Sequence, residues 1–222
     1  MSFKNFISCI HNSSKRNYLS RALLEDRALC AEIARKFAKE YWDGDRKFGY
    51  GGYNYDGRWH SVAQRMADNY QLQAGQKILD VGCGKGYLLY EFTKIIPGIE
   101  VYGIDISKYA IEHALPEVKK NLIVGSAQKL PFSDRNFNFV YSINTLHNLY
   151  LFDLKSAINE ILRVSNNSSS TYVCVESYQN ETEKINLLNW QLTCEAFFCP
   201  TEWEWLFKEW KYEGDYEFIF FK

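Results

Sequence analysis

The fold is decided at Ile78-Leu79-Asp80-Val81-Gly82-Cys83-Gly84-Lys85-Gly86. The first half of this stretch is an apolar run typical of a buried strand, and the second half is a turn with three glycines. Glycine has no Cβ, so such a turn can lie against a ligand, and the N–H groups of the following helix are free to bind it. The stretch predicts a strand, a ligand-binding turn and a helix, although a tight connection without a ligand has the same pattern.

The spacing of the glycines separates this turn from a dinucleotide site. A dinucleotide fingerprint reads G-x-G-x-x-G. Here the third glycine comes one position early at Gly86, and Tyr87 stands where a glycine is expected. The spacing therefore disfavours a nicotinamide or flavin dinucleotide.

From Lys77 onward, short apolar runs alternate with helical segments, which is the pattern of consecutive βαβ units. The predicted strands are Lys77 to Val81, Glu100 to Ile104, Asn121 to Val124, Phe137 to Ser142, Thr171 to Glu176 and Tyr216 to Phe221. The predicted helices are Tyr87 to Ile96, Lys108 to Leu115, Leu154 to Arg163, Asn180 to Cys194 and one that Thr201-x-x-Glu204 opens as a capping box. The sequence thus predicts an α/β fold, a Rossmann-like three-layer sandwich with a central, mostly parallel sheet and an N-terminal helical cap.

An acidic residue ends the second predicted strand, Val101-Tyr102-Gly103-Ile104-Asp105. Ligands of open α/β sheets bind at the edge where the carboxyl ends of the strands lie. A carboxylate at that edge can accept hydrogen bonds from both hydroxyls of a ribose. Asp105 and the glycine turn together therefore indicate a cofactor that contains a nucleoside.

These motifs resemble the class I S-adenosylmethionine-dependent methyltransferases, in particular the small-molecule group with the signature L-D-V-G-C-G-x-G. The resemblance covers Lys77 to Glu176 and implies S-adenosyl-L-methionine as the cofactor. The residues that it assigns to the cofactor here are Asp80, Gly82 and Gly84 around the methionine part, Asp105 at the ribose and Ile106 at the adenine. Cys83, within the same turn, is a further cofactor-binding candidate. The segment after Glu176 is long enough for two helices and one strand, so we expect a sheet without the family's usual pair of final strands.

The third motif of the family is matched by Ser126-Ala127-Gln128-Lys129-Leu130-Pro131-Phe132. Ser126 replaces the aspartate that usually contacts the adenine amino group. Ala127 can supply this contact through its backbone, or Gln128 through its amide. The resemblance therefore places all three residues at the cofactor.

The fourth motif is matched by Phe139-Val140-Tyr141-Ser142-Ile143-Asn144-Thr145-Leu146-His147, at the sheet edge where cofactor and acceptor meet. Asn144 is a candidate for cofactor binding, and His147 is either a general base or a packing residue. The motif does not read Asn-Pro-Pro-Tyr, which argues against an amino-methyltransferase of that type acting on DNA or RNA bases.

The N-terminal part is predicted to cover the cofactor site. Apolar residues recur at helical spacing from Leu29 to Tyr41 and again from Val62 to Tyr70. Between them, Asp43 to Arg58 combines five glycines with aromatic residues, which predicts a loop. Glycine hinges favour the aromatic loop from Tyr50 to Trp59 as a lid over the cofactor, with an ordinary surface covering as the alternative. We expect 1–72 to form the helices and the lid, and 73–222 to form the methyltransferase core.

Four residues are candidates for contact with the acceptor. Tyr53 and Trp59 belong to the aromatic loop, whereas Glu176 and Tyr178 lie near the carboxyl end of the fifth predicted strand. Glu176 and Tyr178 are equally suited to anchoring a loop. Trp205 lies off the apolar stripe of its helix and either lines the acceptor pocket or packs against a neighbouring segment.

The composition narrows the range of partners. The 26 basic and 27 acidic residues nearly cancel, which disfavours nucleic acid and favours a small-molecule acceptor. The six cysteines form no Cys-x-x-Cys pair, so we expect neither a metal site nor a disulfide framework. No apolar run approaches the length of a membrane helix, and no signal peptide is recognisable, so we expect a cytoplasmic protein without a membrane partner. The oligomeric state stays open.

The sequence therefore predicts methyl transfer from S-adenosylmethionine to an unidentified small acceptor. The sulfonium already activates the methyl group, so the task of the protein is to exclude water and align the acceptor for in-line displacement. The alternative is a regulatory or assembly subunit that binds S-adenosylmethionine without transferring the methyl group. A methyltransferase for RNA or protein is disfavoured by the balanced charge.

Overall fold

The computed structural model describes residues 1–11, 17–23 and 26–222 of the chain. Within these ranges six strands form one sheet: β1 (Lys77–Val81), β2 (Glu100–Asp105), β3 (Leu122–Val124), β4 (Phe139–Ile143), β5 (Thr171–Ser177) and β6 (Asp215–Phe220). Their order is β3-β2-β1-β4-β5-β6, and all neighbouring strands are parallel. The predicted parallel sheet is confirmed, and one strand of this sheet follows β5 in the chain.

Helices lie on both faces of the sheet. Those in the described ranges are α1 (Ser8–His11), α2 (Tyr18–Leu23), α3 (Arg27–Ala34), α4 (Lys39–Asp43), α5 (His60–Tyr70), α6 (Tyr87–Ile95), α7 (Lys108–Glu112), α8 (Pro116–Lys119), α9 (Leu151–Val164), α10 (Glu181–Trp190) and α11 (Pro200–Glu209). Short 3₁₀ turns occupy Arg46–Phe48 and Leu146–Asn148. Apolar residues of α5 and α6 pack on one face, and those of α9 and α11 pack on the other. This arrangement confirms the predicted three-layer sandwich.

Strand β1 explains why the deciding stretch reads as a continuous apolar run. Ile78 belongs to the apolar cluster of α5 and α6, whereas Leu79 and Val81 belong to the cluster of α9 and α11. A central strand of a parallel sheet is buried on both faces, so successive positions favour apolar residues. The buried Asp80 is the exception within this stretch. Phe6 and Met66 of the N-terminal part share the first of these clusters with the sheet. The division of the chain at residue 72 stays a prediction.

The chain's first residues lie along the outer edge of β6. The backbone N–H of Lys4 donates to the carbonyl oxygen of Tyr216 at 2.8 Å. The buried carboxylate of Glu217 accepts the backbone N–H of Phe6 at 2.6 Å and the hydroxyl of Tyr172 at 2.7 Å. A carboxylate inside the protein needs such donors, because an unpaired buried charge is costly. Glu217 therefore ties the N-terminal segment to the sheet.

The single helix predicted from Leu29 to Tyr41 is wrong. Helices α3 and α4 are separated by a turn at Phe37, which has a left-handed φ of +46°. The carbonyl oxygen of Phe37 accepts hydrogen bonds from the Trp42 indole at 3.1 Å and from the Ser107 hydroxyl. These contacts to the sheet edge interrupt a periodic pattern that would otherwise continue as one helix.

The predicted capping box Thr201-x-x-Glu204 is also wrong. The capping position of α11 is Cys199, and the Glu202 carboxylate accepts the Cys199 backbone N–H at 2.8 Å. Glu204 instead accepts the hydroxyl of Tyr216 at 2.7 Å. The helix begins earlier than predicted because Glu202, and not Glu204, completes its capping box.

Candidate functional site

A first cavity, with a volume of about 160 Å³, lies at the carboxyl ends of β1, β2 and β4. The predicted residues that line it are Tyr53, Trp59, Asp80, Gly82, Cys83, Gly84, Asp105, Ile106, Ser126, Ala127, Gln128 and Asn144. The structure thus brings together all residues predicted for the cofactor and two of those predicted for the acceptor. Their roles in binding stay predictions.

Backbone conformation fixes the shape of the glycine turn in this cavity. The φ angles are +89° at Gly82 and +53° at Gly84, and a Cβ on Gly82 would overlap the side chain of Thr145. The N–H groups of Gly82 and Cys83 donate to the carbonyl oxygen of Ile104 at 2.7 and 3.1 Å. The turn is therefore held against β2, and bare backbone forms one wall of the cavity.

The carboxylate of Asp105 is attached directly to the glycine turn. It accepts the backbone N–H of Gly84 at 2.7 Å and that of Ser107 at 2.8 Å. Burial raises the pKa of Asp105, and these two backbone hydrogen bonds oppose the rise. Each carboxylate oxygen can accept more than one hydrogen bond, so the fixed carboxylate can also take the hydroxyls of a ribose.

The side of the cavity predicted for the adenine combines apolar surface with a polar turn. Ile106 is 63% exposed, which leaves a large apolar side chain uncovered beside the cavity. The hydroxyl of Ser126 accepts the backbone N–H of Gln128 at 3.2 Å. A flat apolar ring on Ile106 would remove its surface from water, so this side fits a nucleobase.

Six aromatic residues from the N-terminal part of the chain line the first cavity. We call them the aromatic cover: Phe37, Tyr41, Trp42, Tyr50, Tyr53 and Trp59. Trp42 and Tyr50 stack with ring centroids 5.3 Å apart, and Tyr53 stacks on Tyr87 at 5.0 Å. The sequence predicted Tyr53 and Trp59 as site residues but did not single out Trp42. The position of Trp42 just before the glycine-rich loop is the signal that would have found it.

A buried lysine within the glycine turn holds the aromatic cover in place. The Lys85 ammonium, whose residue is 3% exposed, donates to both carboxylate oxygens of Asp43 at 2.8 and 2.7 Å and to the carbonyl oxygen of Tyr53 at 2.8 Å. The Tyr87 hydroxyl donates to the same carbonyl at 2.8 Å. Burial alone would raise the pKa of Asp43, but hydrogen bonds, first that of Lys85, hold it below its ordinary value. We call this set of contacts the latch.

A second cavity of about 150 Å³ adjoins the first. Tyr41, Tyr50, Asn144 and Asn148 line both cavities. The residues found only in the second include His147 and Glu176, which the sequence singled out, and Gln191, which it did not. Three of the four predicted acceptor residues are therefore divided between two adjoining cavities, with Tyr53 and Trp59 in the first and Glu176 in the second.

His147 and Glu176 form one buried unit in the second cavity. The Nδ1 atom of His147 accepts the backbone N–H of Glu176 at 3.3 Å, and its Nε2 lies 3.4 Å from the Glu176 carboxylate. The side-chain amide of Gln191 donates to the other carboxylate oxygen. Burial lowers the pKa of His147 to about 3, so the ring is neutral at pH 7. Because Nδ1 accepts a hydrogen bond, the ring proton belongs on Nε2.

Asn144 stands where the two cavities meet. It directly follows β4 in the chain, and its left-handed φ of +56° bends the backbone sharply there. Its buried side-chain oxygen has no hydrogen-bond partner among the residues that the structure describes. A buried amide oxygen without a partner is costly, so a ligand that donates a hydrogen bond there would be stabilised.

The structure does not bring Tyr178 or Trp205 to either cavity. Strand β5 continues to Ser177, so Tyr178 lies beyond the cavity edge, where it packs against the apolar cluster of α5 and α6. The side chain of Trp205 is on the surface, with 59% of the residue exposed. Trp205 therefore lines neither cavity, and its packing against a neighbouring segment stays a prediction.

Within the described ranges, no three His, Cys, Asp or Glu residues are grouped closely enough to hold a metal ion. The six cysteines are free thiols. The described helices include none with the length and apolar character needed to cross a bilayer.

A family model described as a methyltransferase domain matches residues 72–214, which contain β1 to β5, the glycine turn and Asp105. The chain belongs to the methyltransferase family. Methyltransferases of this kind use S-adenosylmethionine as the methyl donor. The class I resemblance and the cofactor predicted from the sequence are therefore confirmed.

Two relatives show how far the similarity extends. This methyltransferase is 28% identical over 129 residues to YrhH of Bacillus subtilis, which carries the name of a methyltransferase; the match covers 56% of this chain and 71% of YrhH. It is 33% identical over 106 residues to the sterol 24-C-methyltransferase ERG6B of Gibberella zeae, covering 44% of this chain and 28% of that protein. The chain thus spans most of YrhH but less than a third of the sterol enzyme.

A solved structure confirms the fold of this methyltransferase. A chain in the complex of the Haloferax volcanii Trm112 methyltransferase activator with a methyltransferase superposes with a TM-score of 0.59 at 19% identity. The superposition covers 84% of this chain and 76% of the other. At this identity the similarity shows the Rossmann-like fold alone.

Proposed function

We propose that this chain binds S-adenosylmethionine in the first cavity and transfers the methyl group to a small-molecule acceptor by in-line displacement. One observation carries the proposal: the glycine turn and the Asp105 carboxylate line one cavity and are joined by the 2.7 Å hydrogen bond from Gly84. The cavity offers a carboxylate for a ribose, an exposed apolar side chain for a base and bare backbone for a charged tail.

The chain's own residues bind and orient the donor. S-adenosylmethionine supplies, when bound, a methyl group on a sulfonium that leaves readily. In the proposed arrangement Asp105 accepts the ribose hydroxyls, Ile106 covers one face of the adenine, and the turn from Gly82 to Gly84 borders the methionine part. Alignment of the acceptor with the methyl group is then the main contribution of the protein to the rate.

The aromatic cover has the task of excluding water. Its rings form much of the apolar lining of the first cavity, and the latch fixes them to the glycine turn. Exclusion of water strengthens the interactions of a bound sulfonium and prevents loss of the methyl group to solvent. We propose that the latch opens to admit S-adenosylmethionine and closes over it, so that the cover acts as a lid.

The neighbouring space favours a small acceptor. The region beyond Asn144 is the second cavity, with a volume of about 150 Å³. The formal net charge of −1 provides no general attraction for nucleic acid. The relative from Gibberella zeae is named for a sterol, which is a small molecule. These observations support an acceptor that fits into the second cavity.

Isothermal calorimetry with S-adenosylmethionine tests the donor site. We expect Asp105→Ala to lose about 1.5–3 kcal/mol of binding free energy, because hydrogen bonds to a charged group are lost. Asp68→Ala, at an exposed position on α5, is the matched control and should bind as the wild type does. Equal affinity of the Asp105→Ala variant would contradict the proposed pose.

Transfer of a labelled methyl group tests the acceptor. The protein is incubated with methyl-labelled S-adenosylmethionine and, separately, with the small-molecule, RNA and protein fractions of a cell extract. We expect label in the small-molecule fraction. Label in RNA or protein alone would contradict the proposed acceptor class, and binding without any transfer would support the non-catalytic subunit instead.

A further inference from the structure

We propose that Glu176 takes the proton that the acceptor loses and that His147 holds Glu176 in position, so that the acceptor is a hydroxyl or amine compound. This inference depends on the proposed function, because it names the base and the acceptor class of the same reaction. It reverses the simplest expectation for the pair, in which the histidine would be the base.

The hydrogen bond that Nδ1 of His147 accepts argues against this residue as the base. A base needs a lone pair directed at the acceptor. The lone pair on Nδ1 already accepts the backbone N–H of Glu176 at 3.3 Å, and Nε2 therefore carries the ring proton. Its pKa of about 3, which results from burial, agrees with a ring that does not take up a proton near neutral pH. His147 is thus neutral, and its Nε2 lies 3.4 Å from the Glu176 carboxylate.

The Glu176 carboxylate is the other half of the unit, and its position is fixed from several sides. One oxygen lies 3.4 Å from Nε2 of His147, and the other accepts the amide of Gln191. The indole of Trp203 donates to the Glu176 carbonyl oxygen at 3.1 Å, which fixes the backbone as well. Each oxygen of a carboxylate has two lone-pair positions, so a hydrogen bond at one of them does not prevent the same oxygen from taking a proton at the other.

The position of Asn144 indicates what kind of acceptor fits. Glu176 is the second-last residue of β5, and Asn144 directly follows the neighbouring strand β4. Both residues line the second cavity. Asn144 also lines the first cavity, and its side-chain oxygen lacks a partner among the described residues. Two hydrogen-bond acceptors in the lining of one cavity favour a ligand that brings donors to it. A hydroxyl or an amine does so, whereas a thioether or a ketone does not.

The proposed step is balanced in atoms and charge. The lone pair of the acceptor oxygen or nitrogen forms the bond to the methyl carbon, the S–CH₃ bond breaks, and its electron pair stays on sulfur. The proton of the hydroxyl, or one proton of the ammonium before attack, passes to the Glu176 carboxylate and then to water. The positive charge of the sulfonium therefore leaves as this proton.

The decisive measurement compares two acceptor probes. One probe is the small-molecule extract, and the other is hydrosulfide, an anion whose attack requires no base. For Glu176→Gln we expect transfer to the extract to fall about 10²–10⁴-fold, and transfer to hydrosulfide to stay within roughly threefold of the wild type. Glu181→Gln, at an exposed position near the start of α10, is the matched control and should behave as the wild type does with both probes.

The outcomes separate this inference from the proposed function. An unchanged rate with the extract, or an equal loss with both probes, would overturn the assignment of Glu176 as the base. Failure of the wild type to bind S-adenosylmethionine or to transfer label to either probe would instead refute the proposed function. Calorimetry of Glu176→Gln should give the cofactor affinity of the wild type, because the residue lines only the second cavity.

The positioning role of His147 has its own tests. We expect ¹⁵N spectra of labelled histidine at pH 7 to show His147 as the neutral tautomer with the proton on Nε2. The imidazolium form or a proton on Nδ1 would contradict the arrangement, whether or not an acceptor is known. His147→Gln keeps an N–H donor near the position of Nε2, whereas His147→Leu does not, so we expect the glutamine variant to retain about tenfold more activity. Equal activities would refute the positioning role.

Discussion

The two cavities lie side by side, yet they are built in different ways. The first is formed largely by segments that directly follow strands: the glycine turn after β1, Asp105 and Ile106 at the end of β2, and the turn at 125–128 after β3. The second joins the end of β5, the turn after β4, the segment at 190–193 and the aromatic cover. The comparison teaches that local sequence specifies the proposed donor site, whereas tertiary packing assembles the proposed acceptor site.

Gly82→Ala tests the local construction of the first cavity and should have the largest effect. At φ +89° an alanine is strained, and its Cβ would overlap the side chain of Thr145. We expect the free energy of unfolding to fall by about 2–5 kcal/mol, from backbone strain and overpacking together. Urea denaturation measures this loss, and calorimetry should show weakened binding of S-adenosylmethionine.

Gly75→Ala is the matched control for this variant. Gly75 has a φ of +80°, but a Cβ there would meet no atom within 4 Å. We expect only the backbone strain, about 1–2 kcal/mol. Equal losses in the two variants would mean that the close approach of Thr145 to the glycine turn has no energetic importance.

The same difference explains what the sequence could predict. The glycine turn and Asp105 each lie within a few residues of a strand end, and the topology of a parallel sheet brings such ends together. The latch joins Asp43 to Lys85, which are 42 positions apart, and no periodic pattern connects them. Likewise, the turn at Phe37 depends on the Ser107 hydroxyl, a contact that helical spacing cannot reveal. Predictions failed where the local conformation depends on a hydrogen bond to a residue far away in the sequence.

Lys85→Met breaks the connection between the first cavity and the aromatic cover. The lysine side chain is 4% exposed, and the Asp43 side chain is 23% exposed. Removal of one partner leaves a partly buried carboxylate without its cation, so we expect a loss of about 2–4 kcal/mol in the free energy of unfolding. Stopped-flow tryptophan fluorescence should show faster release of S-adenosylmethionine, because the cover is no longer fixed.

Lys108→Met is the control for the latch. Its side chain is 78% exposed and pairs with Glu112 on the surface of α7, so stability and release rate should stay close to those of the wild type. If Lys85→Met released S-adenosylmethionine at the same rate as this control, the aromatic cover would not lie on the path by which the donor enters and leaves.

Acid titration tests the buried histidine of the second cavity. Burial lowers the pKa of His147 to about 3, whereas the unfolded chain binds this proton near its ordinary value of about 6.5. Protonation of His147 therefore does not reduce the free energy of unfolding above about pH 6.5. As the pH falls from there toward 3, the unfolded chain takes up the proton more readily, and the free energy of unfolding decreases, by about 2 kcal/mol at pH 5. Denaturation midpoints of His147→Gln should depend less on pH over this range than those of the wild type.

Ser126→Asp should have the smallest effect of these substitutions. It tests the one motif of the first cavity that departs from the family pattern. The Ser126 hydroxyl accepts the backbone N–H of Gln128 at 3.2 Å, and an aspartate can accept the same hydrogen bond while its second oxygen faces other donors. If the adenine amino group lies beside residue 126, the variant gains a hydrogen bond to a charged acceptor, and calorimetry should show S-adenosylmethionine binding about 1 kcal/mol more tightly. Ser126→Ala loses the Gln128 contact without offering a new acceptor, so it should bind no more tightly than the wild type. Unchanged affinity in Ser126→Asp would place the adenine away from this turn, and Ala127 or Gln128 would then be left as the residues to test.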